Sequence, residues 1–189
     1  MLLFRRIHIF LLSLVLIFLL ASCGAKKKTR SSTLPNTTHP SSPGQAKTGR
    51  TDATTYYADI LGVERKKLNP DLYNFIDAWI GSPHRLGGMT KGGVDCSGFA
   101  SLLYQQVYRK DLPRTSRDMA AIVKRKYDYQ LQEGDLVLFS FGGKDIDHVG
   151  IYLHNDRFVH VSTKQGVVIS NLKDAWYYKY LTRCGTPKM

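Results

Sequence analysis

The hydrophobic periodicity of this chain changes once, at Glu133-Gly134, and this change constrains the fold more than any other feature. Before it, apolar residues recur every three or four positions, which predicts helices after Asn69-Pro70, from Cys96 onward and over residues 116–126. After it, short apolar or alternating runs predict strands over residues 135–140, 147–154, 157–162 and 167–170. Helices that precede antiparallel strands predict an α+β fold, with the helices packed on a C-terminal antiparallel sheet.

Composition and charge exclude several classes of protein. Hydrophobic residues make up 43% of the chain, which is enough for a core, and the mean hydropathy of −0.24 excludes a protein with many membrane spans. Three cysteines without a C-x-x-C pair argue against a disulfide-stapled domain or a zinc ribbon. All 15 acidic residues lie from Asp52 onward, so the net charge of +12 is concentrated before that position. The compact part is only mildly basic, and we expect no nucleic-acid binding.

The N-terminal residues have the pattern of a bacterial export signal. Arg5 and Arg6 precede an apolar run over residues 7–20, which is shorter than the roughly 20 residues of a membrane-spanning helix. The run ends in Leu20-Ala21-Ser22-Cys23, which resembles the lipobox of bacterial lipoproteins. This resemblance implies that residues 1–22 are a signal peptide and that Cys23 is lipidated, with acyl chains such as palmitate. An uncleaved anchor, or an ordinary signal with a chance cysteine, is the alternative.

The segment after Cys23 is expected to be a flexible linker over residues 23–55. It is rich in Ser, Thr, Pro, Gly and Lys, and Leu34 is its only large aliphatic side chain. Its basic residues suit an anionic lipid surface. Gly24 follows the cysteine, so an acidic inner-membrane retention signal is absent. We therefore expect a lipid-anchored protein of the cell envelope, in the outer membrane facing the periplasm, with its folded domain over residues 56–189.

Cys96 and two histidines are the candidate reactive groups. Cys96 follows a glycine-rich stretch and begins a predicted helix, where the helix dipole favours the thiolate. A buried structural cysteine is the alternative. His148 and His160 lie on adjacent predicted strands, so the three residues fit a nucleophile, a base and a residue that orients the base. A metal site is disfavoured, because the paired spacing of metal ligands is missing.

Several short segments stand out in order along the folded part. They are Arg85-Leu86-Gly87-Gly88, Asp95-Cys96-Ser97-Gly98-Phe99, Leu112-Pro113-Arg114-Thr115-Ser116, Gly134-Asp135-Leu136-Val137-Leu138-Phe139, His148-Val149-Gly150-Ile151-Tyr152 and Phe158-Val159-His160. In this order and spacing, from about Trp79 to Tyr180, they resemble the NlpC superfamily of bacterial cell-wall cysteine peptidases. The resemblance is greatest to its lipoprotein branch of murein endopeptidases.

The resemblance implies a papain-like α+β fold and hydrolysis of peptide bonds in peptidoglycan stem peptides. It implies no metal and no cofactor, and we expect a monomer. Cys96 corresponds to the nucleophile, His148 to the base and His160 to the third polar residue. The expected substrate-binding positions are Asp95, Ser97, His84 and Arg85. His84 departs from the family, which usually has tyrosine there; its imidazole either replaces the tyrosine hydroxyl or reflects drift.

The resemblance leaves the bond and the class of function open. The first choice is the D-Ala to meso-diaminopimelate cross-link, and the γ-D-glutamyl to diaminopimelate bond is the alternative. A non-catalytic lipoprotein that binds the cell wall is the competing class. Acyl transfer or hydrolysis on a lipid or a small amide is a third hypothesis.

The hairpin between the two histidine strands must meet a geometric condition. A two-residue turn at Asn155-Asp156 would pair residues whose numbers sum to 311, and His148 and His160 would then face opposite sides of the sheet. The proposed chemistry needs both imidazoles on one side. We therefore predict an odd-length loop or a bulge, for example with paired numbers summing to 310. His154 is expected to be solvated, and the aromatic residues 176–180 are expected to form a core segment rather than a sugar-binding surface.

Overall fold

The computed structural model describes residues 52–188, so the predicted signal peptide, the lipidation at Cys23 and most of the predicted linker lie outside the described residues. The helices are α1 (Ala53–Leu61), α2 (Pro70–Trp79), α3 (Cys96–Leu103), α4 (Ser116–Ile122) and α5 (Ala175–Tyr180). The strands are β1 (Met89–Thr90), β2 (Gly93–Val94), β3 (Val123–Arg125), β4 (Leu136–Phe139), β5 (His148–Tyr152), β6 (Arg157–Ser162), β7 (Gly166–Asn171) and β8 (Leu181–Pro187). Within residues 52–188 no helix has the length and apolar character needed to cross a membrane.

The described chain is already helical at the end of the predicted linker. Asp52 caps α1, because its side chain accepts a hydrogen bond of 3.2 Å from the Thr54 amide. Thr54, Tyr57, Ala58 and Leu61 follow at helical spacing, and all four are buried. Helix α1 therefore begins within the range 23–55 that the sequence analysis assigned to the linker.

Local sequence signals explain where the next helices begin. The Asn69 side chain accepts a hydrogen bond of 3.0 Å from the Asp71 amide, and Pro70 occupies the first turn of α2. Helix α4 begins after Thr115, whose hydroxyl accepts from the Asp118 amide at 3.2 Å. It ends at Ile122, although the sequence predicted a helix to residue 126, because β-branched Val123 begins a strand that pairs with β8.

The sheet has six antiparallel strands in the order β3-β8-β4-β5-β6-β7, and β1 and β2 form a separate small hairpin. The predicted α+β arrangement of helices followed by an antiparallel sheet is confirmed. Helix α5 and strands β1, β2, β3 and β8 were not predicted as separate elements. Strand β8 is the last described element along the chain, and it lies between β3 and β4 in the sheet.

Both faces of the sheet are covered by other elements. Successive strand residues alternate between faces. Leu136, Leu138, Val149 and Ile151 join the core formed with the N-terminal helices. The other face carries a second cluster on which side chains of α5 pack, formed by Val137, Phe139, Tyr152, Phe158, Leu172 and Cys184. Helix α3 packs against β5 and β6.

The β5–β6 hairpin contains a bulge, which is one of the two arrangements that the sequence analysis predicted. Gly150 pairs with His160 and Tyr152 with Phe158, so paired numbers sum to 310. At the tip, the Leu153 amide donates to the Arg157 carbonyl at 2.8 Å, and the Arg157 amide donates to the His154 carbonyl at 2.9 Å. Two residues therefore oppose one. The Asn-Asp pair that follows has positive φ at both positions, as a tight hairpin turn requires.

Candidate active site

Cys96 is the first residue of α3 and is partly buried at its N-terminus. The backbone amides of Val149, Ser97 and Cys96 itself point toward the sulfur and favour its thiolate form. Burial acts in the opposite direction and is the largest influence, and the Asp95 carboxylate adds to it, so the pKa of the Cys96 thiol is raised. The amides at the helix start thus favour the thiolate, as the sequence analysis expected, but desolvation outweighs them and the net change in the pKa is upward.

The two predicted histidines form a hydrogen-bonded pair, which we call the histidine pair. Nε2 of His148 lies 2.9 Å from Nδ1 of His160, and the ring planes are 84° apart. Burial lowers the pKa of His148 to about 4. Burial also lowers the pKa of His160 to about 3, with the neighbouring His148 as the second cause, and His160 is only 2% exposed. Both imidazoles are therefore neutral at neutral pH.

The far nitrogen of His160 meets two hydroxyl groups. Nε2 lies 3.0 Å from the Ser170 hydroxyl and 3.2 Å from the Tyr177 hydroxyl, and Ser170 donates to Tyr177 at 3.4 Å. A line of polar groups thus runs from His148 through His160 to strand β7 and helix α5. The sequence analysis did not assign Ser170 or Tyr177 to the site, since neither lies in a recognisable motif and only tertiary packing brings them together.

The histidine pair and the cysteine meet at the start of β5. His148 is the first residue of this strand, and the amide of the next residue, Val149, is one of the three backbone amides that favour the Cys96 thiolate. The bulge in the hairpin places His160 on the same side of the sheet as His148, as the sequence analysis required. The structure therefore brings the three predicted catalytic positions into one place.

Asp95 and Ser97, predicted to contact substrate, belong to a closed polar cluster. One Asp95 oxygen accepts from the Gly98 amide at 2.6 Å and caps α3, and the other accepts from the Gly87 amide at 2.8 Å. Arg114 donates to both oxygens, at 3.0 and 2.7 Å, and to the Ser97 hydroxyl at 2.9 Å. Burial would raise the pKa of Asp95, but the Arg114 guanidinium and the capped amide hold this pKa below its ordinary value.

Arg114 completes this cluster although the sequence analysis named it only within a motif. Its side chain is 43% exposed, whereas that of Asp95 is 9% exposed. The guanidinium is therefore partly exposed near the start of α3, where Cys96 lies, and it pairs there with a buried carboxylate. A bidentate pair of this kind fixes orientation as well as charge.

The segment of His84 and Arg85 lies along β2. His84 forms a single parallel bridge with Val94, and the Arg85 amide donates to the Val94 carbonyl at 3.1 Å. His84 is near enough to His148 for its charge to lower the pKa of His148. The aliphatic part of Arg85 lies directly on Gly93, where a Cβ atom would come within 2.6 Å of it. His84 thus lies near the histidine pair, and the aliphatic part of Arg85 packs against Gly93.

Within residues 52–188, no group of three or more His, Cys, Asp or Glu side chains has an arrangement that could hold a metal ion.

Comparisons of the sequence and of the fold indicate one family of proteins. The sequence matches the NlpC/P60 family over residues 81–186, which is more than half of the chain. The chain belongs to the NlpC/P60 family, and the resemblance found in the sequence is confirmed.

Curated relatives carry names of murein enzymes. The murein DD-endopeptidase MepS/murein LD-carboxypeptidase of Escherichia coli K12 is 42% identical over 101 residues, which are 53% of this chain and 53% of that protein. The probable endopeptidase NlpC of the same strain is 41% identical over 105 residues, which are 55% of this chain and 68% of that protein. The matched part spans about half to three fifths of the length of the first curated relatives.

Solved structures share the fold. An NlpC/P60 family protein from Bacillus cereus ATCC 10987 aligns with a TM-score of 0.57 and 26% identity, over 62% of this chain and 39% of that chain. RipD from Mycobacterium tuberculosis aligns with a TM-score of 0.50 and 21% identity, over 62% of this chain and 95% of that chain. RipD is described as non-catalytic and adapted to peptidoglycan binding, so the fold alone does not decide between catalysis and binding.

Proposed function

We propose that this chain is a peptidoglycan endopeptidase in which Cys96 is the nucleophile, His148 the base and His160 the residue that orients the base. The observation that carries the proposal is the hydrogen-bonded histidine pair beside Cys96. His148 begins strand β5, and the amide of the next residue, Val149, favours the Cys96 thiolate. The names of the relatives supply the substrate class, since MepS is a murein DD-endopeptidase. The presence of these side chains favours catalysis over a role limited to binding.

The proposed mechanism requires a particular position for each proton along these hydrogen bonds. Nε2 of His148 is engaged with His160, so Nδ1 is the nitrogen left to take the thiol proton. For Nδ1 to be a free acceptor, neutral His148 must carry its proton on Nε2 and donate it to Nδ1 of His160. His160 must then carry its own proton on Nε2 and donate it to Ser170 or Tyr177.

The reaction follows the usual two stages of a thiol peptidase. His148 removes the thiol proton, and the Cys96 sulfur attacks the carbonyl carbon of the scissile bond. As the tetrahedral intermediate collapses, His148 gives that proton to the leaving amine and a thioester remains. A water molecule, deprotonated by His148, then attacks the thioester and releases the carboxylic acid and the thiol. The raised pKa of Cys96 makes proton removal by His148 part of the reaction rather than a step completed beforehand.

The D-Ala to meso-diaminopimelate cross-link is the proposed bond, in agreement with the DD-endopeptidase name of a relative. The γ-D-glutamyl to diaminopimelate bond is the alternative. Lipidation at Cys23 and placement at the outer membrane facing the periplasm belong to the same proposal, supported by the lipobox-like sequence. A lipid anchor would hold the enzyme next to its polymeric substrate.

The experiment is digestion of purified cross-linked muropeptides, with the products identified by mass spectrometry. We expect the wild-type chain to convert cross-linked dimers into monomers with an intact tetrapeptide stem, and Cys96→Ala to leave the dimers uncut. Cleavage within the stem would assign the alternative bond. Dimers that remain uncut by the wild type while both proteins retain peptidoglycan binding would refute catalysis and favour the binding function.

A further inference from the structure

Phe141, Trp176 and Tyr180 form an aromatic surface beside the histidine pair, which we call the aromatic platform. The Phe141 ring lies 5.4 Å from the His148 ring, measured between centroids. Trp176 lies 6.0 Å from Phe141 with its plane only 14° away, and Tyr180 meets both rings edge-on at 4.8 and 5.5 Å. Trp176 is nevertheless 59% exposed. The platform therefore offers an exposed indole that is connected to the proposed base through the Phe141 ring.

The platform is held in place by the structure beneath it. The amides of Phe141 and Gly142 donate to the Asp147 carboxylate at 2.9 and 2.5 Å, which fixes the turn before His148. On the helix side, Tyr177 packs edge-on against Phe158 at 5.0 Å and anchors α5 to the sheet. A surface positioned in this way loses little conformational entropy when a ligand binds. The sequence-based expectation of a buried aromatic segment is thus wrong for Trp176 and Tyr178, both of which are exposed.

We propose that the aromatic platform binds a sugar ring of the substrate glycan, stacked on the exposed face of Trp176. This inference rests on the proposed function, because it assigns the glycan part of a peptidoglycan substrate to a surface next to the reacting bond. Peptidoglycan stem peptides are linked to an N-acetylated sugar. Three extended residues span about 10 Å, so a short stem lying in the site can carry its sugar from His148 to the outer ring of the platform.

The chemistry of the platform favours a sugar over the peptide. A pyranose ring has a flat face of C–H groups, which matches an indole face, while its hydroxyl and acetamido groups remain in water. The stem peptide is rich in carboxylate and amino groups, which require charged partners. The three platform rings carry one hydroxyl and one indole N–H and no charge of their own, and the Lys179 ammonium lies 5.0 Å from the centre of the Tyr180 ring. Exposed aromatic area next to a candidate site is a mark of ligand binding.

The test compares two substrates with the same scissile bond. One is a cross-linked muropeptide dimer with its sugars, and the other is the same peptide dimer after an amidase has removed the sugars. We expect Trp176→Ala to lower kcat/KM about tenfold on the first substrate, through KM, and to change the second less than twofold. Trp176→Phe should retain most of the wild-type value. Equal losses on both substrates, or no loss on either, would overturn the proposal.

Tyr178→Ala is the matched control. Tyr178 lies on the same helix and is 49% exposed, but its hydroxyl contacts Asp128 at 3.0 Å, outside the platform. We expect this variant to behave as the wild type on both substrates. A glycan-specific loss in this control equal to that in Trp176→Ala would overturn the assignment to the platform.

A binding experiment separates this inference from the proposed function. The inactive Cys96→Ala protein is titrated with each dimer, and tryptophan fluorescence is followed. The chain has two tryptophans, and Trp79 is buried, so a glycan-dependent change that disappears in Trp176→Phe reports on the platform. Such a change would support the inference even if the wild type cleaved neither dimer. Cleavage of both dimers without any glycan-dependent change would refute the inference and leave the proposed function intact.

Discussion

The hydroxyl groups at the end of the histidine pair provide the sharpest test of the proposed mechanism. When His148 takes the thiol proton it becomes a cation whose Nε2–H must donate to Nδ1 of His160. His160 then has no choice of tautomer, and its Nε2–H needs Ser170 or Tyr177 as an acceptor. In the resting state both neutral histidines can shift to the other tautomer, and Nε2 of His160 then needs no acceptor. When His148 is a cation this shift is impossible. Removing both hydroxyls therefore penalises the reacting state more than the resting state.

The size of the effect follows from burial. His160 is 2% exposed, so water does not replace a lost acceptor in the native packing. A buried N–H without a partner costs about 1–3 kcal/mol, which corresponds to a rate loss of roughly five- to 150-fold. We expect this loss in kcat, with KM little changed, for the double variant Ser170→Ala/Tyr177→Phe. Each single variant keeps one acceptor, so each should lose less than about threefold, and the two effects should not add.

The assay is steady-state cleavage of cross-linked muropeptides over a range of pH. The double variant should also move the acid limb of kcat to lower pH, because the cation on His148 is less stable. Ser140→Ala is the control, since its hydroxyl contacts Thr182 at 3.0 Å and touches neither histidine. A double variant with full kcat, or single variants each as impaired as the double, would refute the proton assignment.

The remaining predictions test the nucleophile, the polar cluster, the pH dependence and the anchor. Cys96→Ser should lose activity by several orders of magnitude while keeping its circular dichroism spectrum, because a hydroxyl is a far weaker nucleophile. Arg114→Ala should lower the free energy of unfolding by about 1 kcal/mol in urea titrations, the low end for a charged hydrogen-bonded pair because Arg114 is 43% exposed. The pKa values of the histidine pair lie below the ordinary value in the folded state, so the unfolded state binds more protons below about pH 6.5. Stability should therefore rise with pH from about 3 to 7, and replacing His160 with Asn should flatten this rise in denaturation curves. Cys23→Ala should abolish labelling by radioactive palmitate and leave unprocessed precursor; an unchanged, still labelled protein would contradict the anchor.

Most of the fold could be predicted because short stretches of the sequence contain the signals for individual helices and strands. The cap at Asn69-Pro70 and the apolar strands β4 to β6 are each encoded within a few residues. Strand β8 could not be found in this way, since Leu181–Pro187 contains an arginine, a glycine and a proline and has no alternation. It is a strand because β3 and β4 supply partners on both sides. The premature end of α4 has the same origin, as pairing with β8 outweighs helix propensity at Val123.

The candidate site was only partly accessible to sequence reasoning. Cys96, His148 and His160 were recognisable because a cysteine at a predicted helix start and two histidines on adjacent predicted strands fit a nucleophile, a base and its orienting residue, and because the motifs around them resemble the NlpC superfamily. Arg114, Ser170 and Tyr177 act through hydrogen bonds between segments that are far apart in the chain, and no local pattern marks such contacts. The sequence also could not show whether the pKa of the Cys96 thiol is raised or lowered, since desolvation depends on which groups cover the sulfur.

The hairpin tip shows how a residue far from the chemistry sets the geometry of the site. A register shift of one residue would turn His160 to the other face of the sheet, and the bulge at His154 prevents it. His154 was expected to be solvated, but its Nε2 lies 3.0 Å from the Glu133 carboxylate. The same carboxylate accepts from the Tyr73 hydroxyl at 2.8 Å, so the bulged residue is tied to helix α2. The bulged residue that sets the register of the histidine pair is thus in contact with the N-terminal helices through Glu133, and the turn-like Asn-Asp pair gives no sign of this contact between distant segments.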